Sequence, residues 1–269
     1  MTVMPMRKIH ETAIIHPSAV IGKDVEIRPY AVIDEDTVIG DGCKIGPHVV
    51  IHRYTTVGKN CRFFPGCSIG AEPQDLKFAG EKSYTFIGDG GIFREYCTVN
   101  RATGEGNETH IGNNILMMAY THVAHNCIVG NNVIMSNVAT LAGHIIIEDR
   151  AVLGGLCAIH QFCKVGRNAM IGGMARVSQD VPPFMIVAGD PAFVSGLNSV
   201  GLARAGMPQD QRNELKKAFR ILYHSGLPMH EAIAIMEQEL ESSEPVEHLM
   251  RFLRSVERGI IRTRKGGWQ

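Results

Sequence analysis

The sequence predicts a mainly β protein, a parallel β-helix of stacked hexapeptide coils followed by a small α-helical domain. The first observation is a six-residue period, with an apolar residue at every sixth position from Ile15 to Ile69, from Ile87 to Phe93 and from Ile111 to Val177. Hexapeptide repeats are typical of a parallel β-helix, whereas a helix face or a plain strand has a shorter period. The second observation is a change to helical spacing near the end of the chain.

Each hexad should supply one short strand and one corner, and three hexads should close one triangular coil. The fifth position of each hexad needs a small residue that points inward, and every cysteine of the chain falls there. A free cysteine packs as a small hydrophobe. No CxxC pair or zinc-finger spacing is present, and an odd number of packing thiols indicates a reducing compartment. The cysteines are Cys43, Cys61, Cys67, Cys97, Cys127, Cys157 and Cys163.

We expect the repeat domain to span residues 1–190, with loop excursions at 71–86 and 100–110. In both segments the apolar period gives way to polar residues and glycine. Loops that leave a rigid scaffold often carry binding groups. The repeats should end near Pro182 and Pro183, because proline cannot continue a strand ladder.

The helical domain should span residues 191–269. Apolar residues at helical spacing predict three amphipathic helices, at 215–223, 229–240 and 246–256. Such a domain would cover the open end of the solenoid. The polar tail that ends the chain should be disordered. Three basic residues share one face of the first helix, either as an ordinary solvated face or as a docking patch for an acidic or phosphate-bearing partner: Arg212, Lys216 and Arg220.

Composition excludes several classes of function. Lysine plus arginine equals aspartate plus glutamate at 27 each, so no global field favours nucleic acid or an anionic membrane. The N-terminal residues lack the apolar core of a signal peptide. No run of about 18 apolar residues is present, so we expect no transmembrane segment. We therefore expect a cytoplasmic protein that binds no nucleic acid.

Histidines cluster in the later coils and should converge on one corner. Residues one coil apart stack at about 4.8 Å, so His125, Gly143 and Gln161 form one row. Three further imidazoles flank this row, those of His122, His144 and His160.

A neutral imidazole is well suited to general-base catalysis near neutral pH, and a glycine exposes a backbone N–H that could stabilise an oxyanion. No serine or thiol nucleophile stands in the row, because Cys127 should point inward. The pattern therefore favours direct transfer, with base-assisted attack by a hydroxyl or by water. Two alternatives stay open: a carbonic anhydrase-like zinc site built from three histidines, and a non-enzymatic scaffold.

Six segments carry a resemblance to a known family: QDLKFAGE at 74–81, HVAHNC at 122–127, TLAGH at 140–144, GGLCAIHQFC at 154–163, QDVPP at 179–183 and GLNSVGLARAG at 196–206. In these segments, and over essentially its whole length, the chain resembles the acyl-carrier-protein–UDP-N-acetylglucosamine O-acyltransferases of lipid A biosynthesis. The resemblance implies a left-handed β-helix and a homotrimer with active sites between neighbouring solenoids. It implies transfer of an (R)-3-hydroxyacyl group from acyl carrier protein to the 3-hydroxyl of UDP-N-acetylglucosamine, the first step of lipid A biosynthesis. No metal or dissociable cofactor is implied, since phosphopantetheine arrives on the carrier protein.

The resemblance also implies a role for each matching residue. His125 would be the general base, and the Gly143 N–H would hold the thioester oxyanion. Gln74 and Lys77 would lie near the acyl donor, and Gly173 and Pro191 would line the acyl-chain groove. The sugar nucleotide would be held by Asp75, His122, His144, His160 and Gln161, with Asn198 and Arg204 at the diphosphate.

The chain departs from the family pattern at several positions. Residue 126 is Asn where many members have Asp, and Val200 and Ala205 replace an acidic residue and a second arginine. Pro191 replaces a larger polar residue, and Gly173 would leave room in the groove, so we expect a longer rather than a shorter acyl chain. Because Asn126 and Val200 alter the site, N-acyl transfer to a 3-amino sugar nucleotide stays open as an alternative.

Overall fold

The computed structural model describes residues 8–264 and contains a parallel β-helix whose strands form three sheets. Residues 1–7 and 265–269, which hold part of the N-terminal segment and most of the polar tail considered above, lie outside the described residues. Up to residue 177 every third strand belongs to the same sheet, so three consecutive strands make one coil. The mainly β, parallel architecture predicted from the period is confirmed.

The strands are short, and most contain two residues. The first sheet holds β1 Ile14–Ile15, β4 Val32–Ile33, β7 Val50–Ile51, β10 Ser68–Ala71, β13 Thr98–Asn100, β16 His122–Val123, β19 Thr140–Leu141, β22 Ala158–Ile159 and β25 Arg176–Val177. The second holds β2 Val20–Ile21, β5 Val38–Ile39, β8 Thr55–Val57, β11 Tyr84–Ile87, β14 Glu108–Ile111, β17 Ile128–Val129, β20 Ile146–Ile147 and β23 Lys164–Val165. The third holds β3 Glu26–Ile27, β6 Lys44–Ile45, β9 Arg62–Phe63, β12 Ile92–Phe93, β15 Leu116–Met117, β18 Ile134–Met135, β21 Val152–Leu153, β24 Met170–Ile171, β26 Met185–Ala188 and β27 Phe193–Leu197.

The strand register reproduces the six-residue period. Ile15 pairs with Ile33, which pairs with Ile51, so each coil contains 18 residues. Side chains at the repeated apolar position point inward and stack into a continuous core. The predicted inward position of the cysteines is also confirmed, because all seven are buried and free.

The two excursions are shorter than the sequence predicted. β10 reaches Ala71 and β11 begins at Tyr84, so the first loop spans residues 72–83 rather than 71–86. Asn100 ends β13 and Glu108 begins β14, so the second loop spans 101–107 rather than 100–110. Backbone pairing with the neighbouring coils extends the strands into both segments. Register between successive coils returns after each loop.

The C-terminal part contains four helices, α1 Ser199–Arg204, α2 Gln209–His224, α3 Met229–Glu239 and α4 Glu244–Arg254. The last three correspond to the predicted amphipathic helices, and the apolar face of α2 is buried through Leu215, Ala218 and Leu222. The short helix α1 was not predicted. No helix within residues 8–264 is long and apolar enough to cross a membrane.

The two parts are joined by strands, by an ion pair and by a histidine–carboxylate contact. β27 lies beyond residue 190, yet it pairs antiparallel with β26 and thereby extends the third sheet. Arg167 of the solenoid contacts Glu244 at 2.7 Å, and His248 contacts Glu148 at 2.7 Å. The division at residues 190 and 191 therefore stays a prediction, because the third sheet continues across it.

Candidate functional site

The predicted histidine row lies at the corner where the first sheet passes into the second. Val123 pairs with Leu141 and Leu141 with Ile159, so His125, Gly143 and Gln161 occupy equivalent positions in successive coils. His144 occupies the next position of its corner, and its ring meets that of His125 edge to face, with centroids 5.2 Å apart. The structure thus brings His125, Gly143 and His144 together.

His125 is held between a corner amide and the first excursion loop. Its side chain is 13% exposed, its Nδ1 lies 2.8 Å from Oδ1 of Asn126, and its Nε2 lies 4.0 Å from a carboxylate oxygen of Asp75. Asn126 has a φ of +58°, in the left-handed region that asparagine tolerates better than most residues. That turn directs the amide of Asn126 back toward the histidine before it.

Thr103, in the second loop, determines which way the Asn126 amide faces. The backbone N–H and the hydroxyl of Thr103 both donate to Oδ1 of Asn126 at 2.9 Å, and Nδ2 of Asn126 donates to the Thr103 carbonyl at 3.1 Å. A backbone N–H only donates and a carbonyl only accepts, so the orientation is unambiguous. Oδ1 faces His125, whose Nδ1 must therefore carry the proton. The lone pair of His125 is left on Nε2.

Asp75 reaches His125 from the first loop, although it is far from the histidine row in sequence. Its carboxylate accepts a hydrogen bond from the backbone N–H of Lys77 at 3.0 Å. The loop turns tightly around it, since the Phe78 N–H donates to the Asp75 carbonyl at 3.0 Å. The loop thereby places a carboxylate against the Nε2 edge of the His125 ring.

Gly143 lies directly against the ring of His125. A Cβ at this position would lie 2.6 Å from both Cε1 and Nε2 of His125, closer than real Cβ atoms approach. Only glycine therefore permits the observed ring position. Among the described residues the Gly143 N–H has no hydrogen-bond acceptor, while its carbonyl accepts from the N–H of Phe162 at 3.2 Å.

Two neighbouring imidazoles are held neutral by their surroundings. Burial lowers the pKa of His122, and proximity to His125 adds to the effect. The hydroxyl of Thr98 contacts Nδ1 of His122 at 2.7 Å. Burial and His125 also lower the pKa of His144, whose ring stacks on Phe162 with centroids 4.8 Å apart. These groups can accept or donate hydrogen bonds without a competing positive charge beside His125.

The other predicted residues near this corner are exposed. His160 and Gln161 lie in the next coil, where Nδ1 of His160 contacts the Gln161 carbonyl at 3.1 Å. Gln74 and Lys77 flank Asp75 in the loop and face solvent. Each is therefore free to meet a ligand that rests on the corner.

Asn198 and Arg204 lie at the two ends of α1. Asn198 is buried and caps the helix, because its Oδ1 accepts from the Gly201 N–H at 3.1 Å while its Nδ2 donates to the Asn168 carbonyl at 2.9 Å. The side chain expected at the diphosphate is thus already engaged within the chain. Arg204 ends the helix and is exposed.

Gly173 and Pro191 lie at a different corner from His125. Gly173 follows β24 of the third sheet and precedes β25 of the first sheet. Pro191 follows β26, which pairs with β24 and so brings the 189–191 segment beside Gly173. Within one chain, the width of the first sheet separates these residues from the histidine row. The structure does not bring the predicted groove and the predicted base together in a single protomer.

Sequence reasoning missed Thr103, which orients Asn126, and Arg101, a buried residue beneath the histidine row. Both lie in the second loop, where the hexad period gives no register. Their only signal was their position in an excursion that adjoins the row.

The zinc alternative finds no support in the side-chain geometry. Within residues 8–264, no group of three or more His, Cys, Asp or Glu side chains is arranged to hold a metal ion. Among the described residues this corner instead combines an imidazole whose Nε2 has no hydrogen-bond partner, a nearby carboxylate and an unpaired backbone N–H. Such a set can deprotonate a hydroxyl and stabilise an oxyanion.

The chain is similar to known proteins over most of its length. Residues 180–261 match the family described as UDP N-acetylglucosamine O-acyltransferase, domain 2, and residues 18–53 and 36–71 match the bacterial transferase hexapeptide family. An acyl-(acyl-carrier-protein)–UDP-N-acetylglucosamine O-acyltransferase of Trichlorobacter lovleyi is 54% identical over 258 residues, which cover 94% of this chain and 99% of the relative. The protein of that name from Thermodesulfovibrio yellowstonii is 47% identical over 96% of this chain and 100% of its own length.

A solved structure extends the agreement to the fold. The UDP-N-acetylglucosamine acyltransferase of Bacteroides fragilis superposes with a TM-score of 0.92 at 44% identity, over 94% of this chain and 100% of the other. Coils of opposite hand do not superpose at such a score, so the two solenoids share one hand. This agrees with the left-handed parallel β-helix that the resemblance implies.

Proposed function

The chain belongs to the acyl-(acyl-carrier-protein)–UDP-N-acetylglucosamine O-acyltransferase family, and from this premise we propose that it transfers an (R)-3-hydroxyacyl group to the 3-hydroxyl of UDP-N-acetylglucosamine. The acyl donor would be acyl carrier protein, and the reaction would be the first step of lipid A biosynthesis. The observation that carries the proposal is the state of His125: Nδ1 is committed to Asn126, and Nε2 is free beside Asp75.

His125 acts as the general base. A sugar hydroxyl is a weak nucleophile until its proton is removed in the transition state. Nε2 takes that proton while the sugar oxygen attacks the thioester carbonyl. The imidazolium that forms is stabilised by the carboxylate of Asp75, because Asn126 is neutral and contributes only a hydrogen bond.

The Gly143 N–H stabilises the oxyanion of the tetrahedral intermediate. This N–H has no acceptor among the described residues, and Gly143 lies against the His125 ring. Both observations support the role, because the base must reach the sugar hydroxyl while the donor reaches the carbonyl oxygen that the hydroxyl attacks. When the intermediate collapses, the carbon–sulfur bond breaks and the phosphopantetheine thiol of the carrier protein leaves with the proton held by His125. The ester remains on the sugar, and the reaction requires no further cofactor.

The remaining predicted residues position the substrates. Asp75, His122, His144, His160 and Gln161 surround the sugar, while Gln74 and Lys77 lie near the acyl donor. Arg204 contacts the diphosphate. Asn198 supports this contact by capping α1, the helix that Arg204 ends.

A homotrimer would complete the site. Gly173 and Pro191, proposed for the acyl groove, lie at the corner between the third and first sheets, away from His125. An exposed apolar column runs along that same corner, through Tyr96, Tyr120, Val138, Leu156 and Met174. Exposed apolar stretches of this kind mark interaction surfaces. A neighbouring solenoid packed here would bring the groove of one chain to the base of another.

We place the reaction in the cytoplasm, in keeping with the buried free thiols. Nucleic acid stays outside the proposal, because lysine plus arginine equals aspartate plus glutamate at 27 each and no net field attracts it. The acyl-chain preference is for longer chains, because Gly173 is exposed and contributes no side chain to the groove.

A product assay tests the proposal. The purified protein is incubated with UDP-N-acetylglucosamine and (R)-3-hydroxyacyl carrier protein, and the product is identified by mass spectrometry. We expect an ester from the wild type and none from His125→Ala. His16→Ala is the matched control, since His16 is an exposed histidine where the first sheet passes into the second in the first coil, and its Nδ1 contacts the Ser18 hydroxyl at 2.9 Å.

The assay also separates the alternatives. Equal ester yield from wild type and His125→Ala would refute the base assignment. Product only from a 3-amino sugar nucleotide, recovered as an amide, would favour N-acyl transfer. In competition, a ten-carbon donor that clearly outpaces a fourteen-carbon donor would refute the preference for longer chains.

A further inference from the structure

Arg101 is one of the largest fully buried side chains of the protein, and it lies in the coil that precedes the proposed base. Val99 pairs with Val123, so Arg101 follows its paired strand by two residues, as His125 does in the next coil. Its side chain is 2% exposed. A charged group in this position needs a physical reason, because burying a guanidinium is costly.

The contacts of Arg101 close the first loop around Asp75. Its Nη2 lies 3.1 Å from Oε1 of Glu72, and its guanidinium carbon lies 5.2 Å from the centroid of the Phe78 ring. Its backbone N–H donates to the carbonyl of Ala71 at 2.9 Å. Glu72 and Phe78 each stand three residues from Asp75. One side chain therefore holds both ends of the turn whose centre carries the carboxylate near His125.

Stability alone does not account for a buried arginine here. Its Nε has no hydrogen-bond partner among the described residues, and its one ion-pair partner, Glu72, is 57% exposed. Buried ion pairs are often no more stabilising than apolar residues of similar volume. Arginine offers something that an apolar residue lacks, a planar cation that can pair with a carboxylate and stack on a ring at once.

We propose that Arg101 is a positioning residue for the acyl transfer: by clamping Glu72 and Phe78 it keeps the carboxylate of Asp75 beside Nε2 of His125. The proposal rests on the function proposed above, in which Asp75 stabilises the imidazolium. Asn100 assists the clamp, since its Nδ2 donates to the Glu72 carbonyl at 2.8 Å.

The charges around His125 give the clamp a distinctive signature. Asp75 faces Nε2 from the loop, His122 and His144 lie beside the ring, and Arg101 lies one coil below. Loss of the cation alone would favour the protonated imidazole and move the acid limb of the kcat/KM profile to higher pH. Loss of Asp75 from its place would disfavour the imidazolium and move that limb to lower pH. If Arg101 acts only as a nearby cation, its loss moves the acid limb to higher pH. If Arg101 positions Asp75, its loss moves the acid limb to lower pH.

The test is a double-mutant cycle between Arg101→Met and Asp75→Asn, measured as kcat/KM against pH with UDP-N-acetylglucosamine and an acyl carrier protein thioester. A displacement of about 1 Å near the chemistry costs on the order of 100-fold, so we expect Arg101→Met to lower kcat/KM by about ten- to a hundredfold. The acid limb should move to lower pH. In the Asp75→Asn background the same change should cost much less, because the group it positions is already gone.

Arg53→Met is the matched control. Arg53 contacts the same Oε1 of Glu72 at the same 3.1 Å, but it is 42% exposed and does not stack on Phe78. We expect it to leave kcat/KM nearly unchanged. Glu72→Gln provides a second route should Arg101→Met fold poorly, because it weakens the clamp at an exposed position. The fall in kcat/KM that it causes should likewise be much smaller in the Asp75→Asn background.

The outcomes separate this proposal from the function on which it rests. An equal loss from Arg101→Met, or from Glu72→Gln, in both backgrounds would overturn the clamp and leave the acyl transfer intact. An acid limb that moves to higher pH in Arg101→Met would also overturn it. Wild-type activity in Asp75→Asn would overturn the role of Asp75 in the proposed function and the clamp with it.

Discussion

Replacement of Asn126 by aspartate would exchange one amide nitrogen for an oxygen and add a negative charge beside His125. Oδ1 of Asn126 lies 2.8 Å from Nδ1 of His125 and already accepts two hydrogen bonds from Thr103. The shape of the side chain is unchanged and both hydrogen bonds from Thr103 to Oδ1 remain, so the histidine should keep its place. The variant therefore tests charge separately from position.

The geometry sets the size of the effect. An opposite charge within this range typically shifts a titration by about 1 to 3 pH units, so the acid limb of the kcat/KM profile should move to higher pH by about that amount. Stability should fall at the same time. The hydrogen bond from Nδ2 to the Thr103 carbonyl, 3.1 Å long, would become a contact between two oxygens. Such a loss costs about 1–3 kcal/mol.

The assay is kcat/KM for acyl transfer between about pH 5 and about pH 9, the range in which imidazoles titrate, together with thermal unfolding. Asn132→Asp is the control, because Asn132 lies in the same coil, has a φ of +56° and is exposed. It should leave the profile unmoved. If Asn126→Asp also leaves the acid limb in place, His125 is not the base that Asn126 orients, and the argument from the Thr103 contacts fails.

Three further outcomes follow from the site. Gly143→Ala would place a Cβ 2.6 Å from Cε1 of His125 and displace the ring by about 1 Å. Steady-state kinetics should then show a fall in kcat on the order of 100-fold. An unchanged kcat would contradict the assignment of His125 as the base. Burial lowers the pKa of His122 from the ordinary 6.5, so its contribution to stability is present above that pH and is lost as the pH falls. The unfolding temperature should therefore fall less toward acid pH in His122→Gln than in the wild type. An equal fall in both proteins would count against this reasoning. Arg204→Ala should raise KM for the sugar nucleotide by about tenfold, as expected for a lost charged hydrogen bond, and should leave kcat nearly constant. Lys216 is exposed, and Lys216→Ala should leave both KM and kcat unchanged.

The solenoid could be predicted from the sequence because its hydrogen bonds are periodic. In a parallel coil each strand pairs with the strand one turn later, so a repeat in the sequence becomes a stack in space. The inward cysteines and the row of His125, Gly143 and Gln161 follow from counting alone. The two proline residues near the end marked where the hexads stop, but β26 and β27 extend the third sheet beyond them.

The loops could not be predicted, because no period governs them. Segment 72–83 leaves the coil, and its path is decided by contacts with a buried residue of another excursion. Asp75 therefore entered the prediction only through the resemblance, and its approach to within 4.0 Å of Nε2 is a result of the tertiary structure. The same holds for Thr103, whose backbone settles the orientation of a neighbouring amide from a loop with no repeat.

Counting hexads is therefore enough to predict the architecture, the inward and outward positions within each hexad, and the corner where the histidines stand. Two features came from the folded contacts alone: which nitrogen of His125 carries the proton, and which carboxylate faces the ring. The physical reason is the range of the interactions involved. Strand stacking is local and repeats with the chain, whereas a site built from two loops and a corner depends on single contacts between segments that share no pattern.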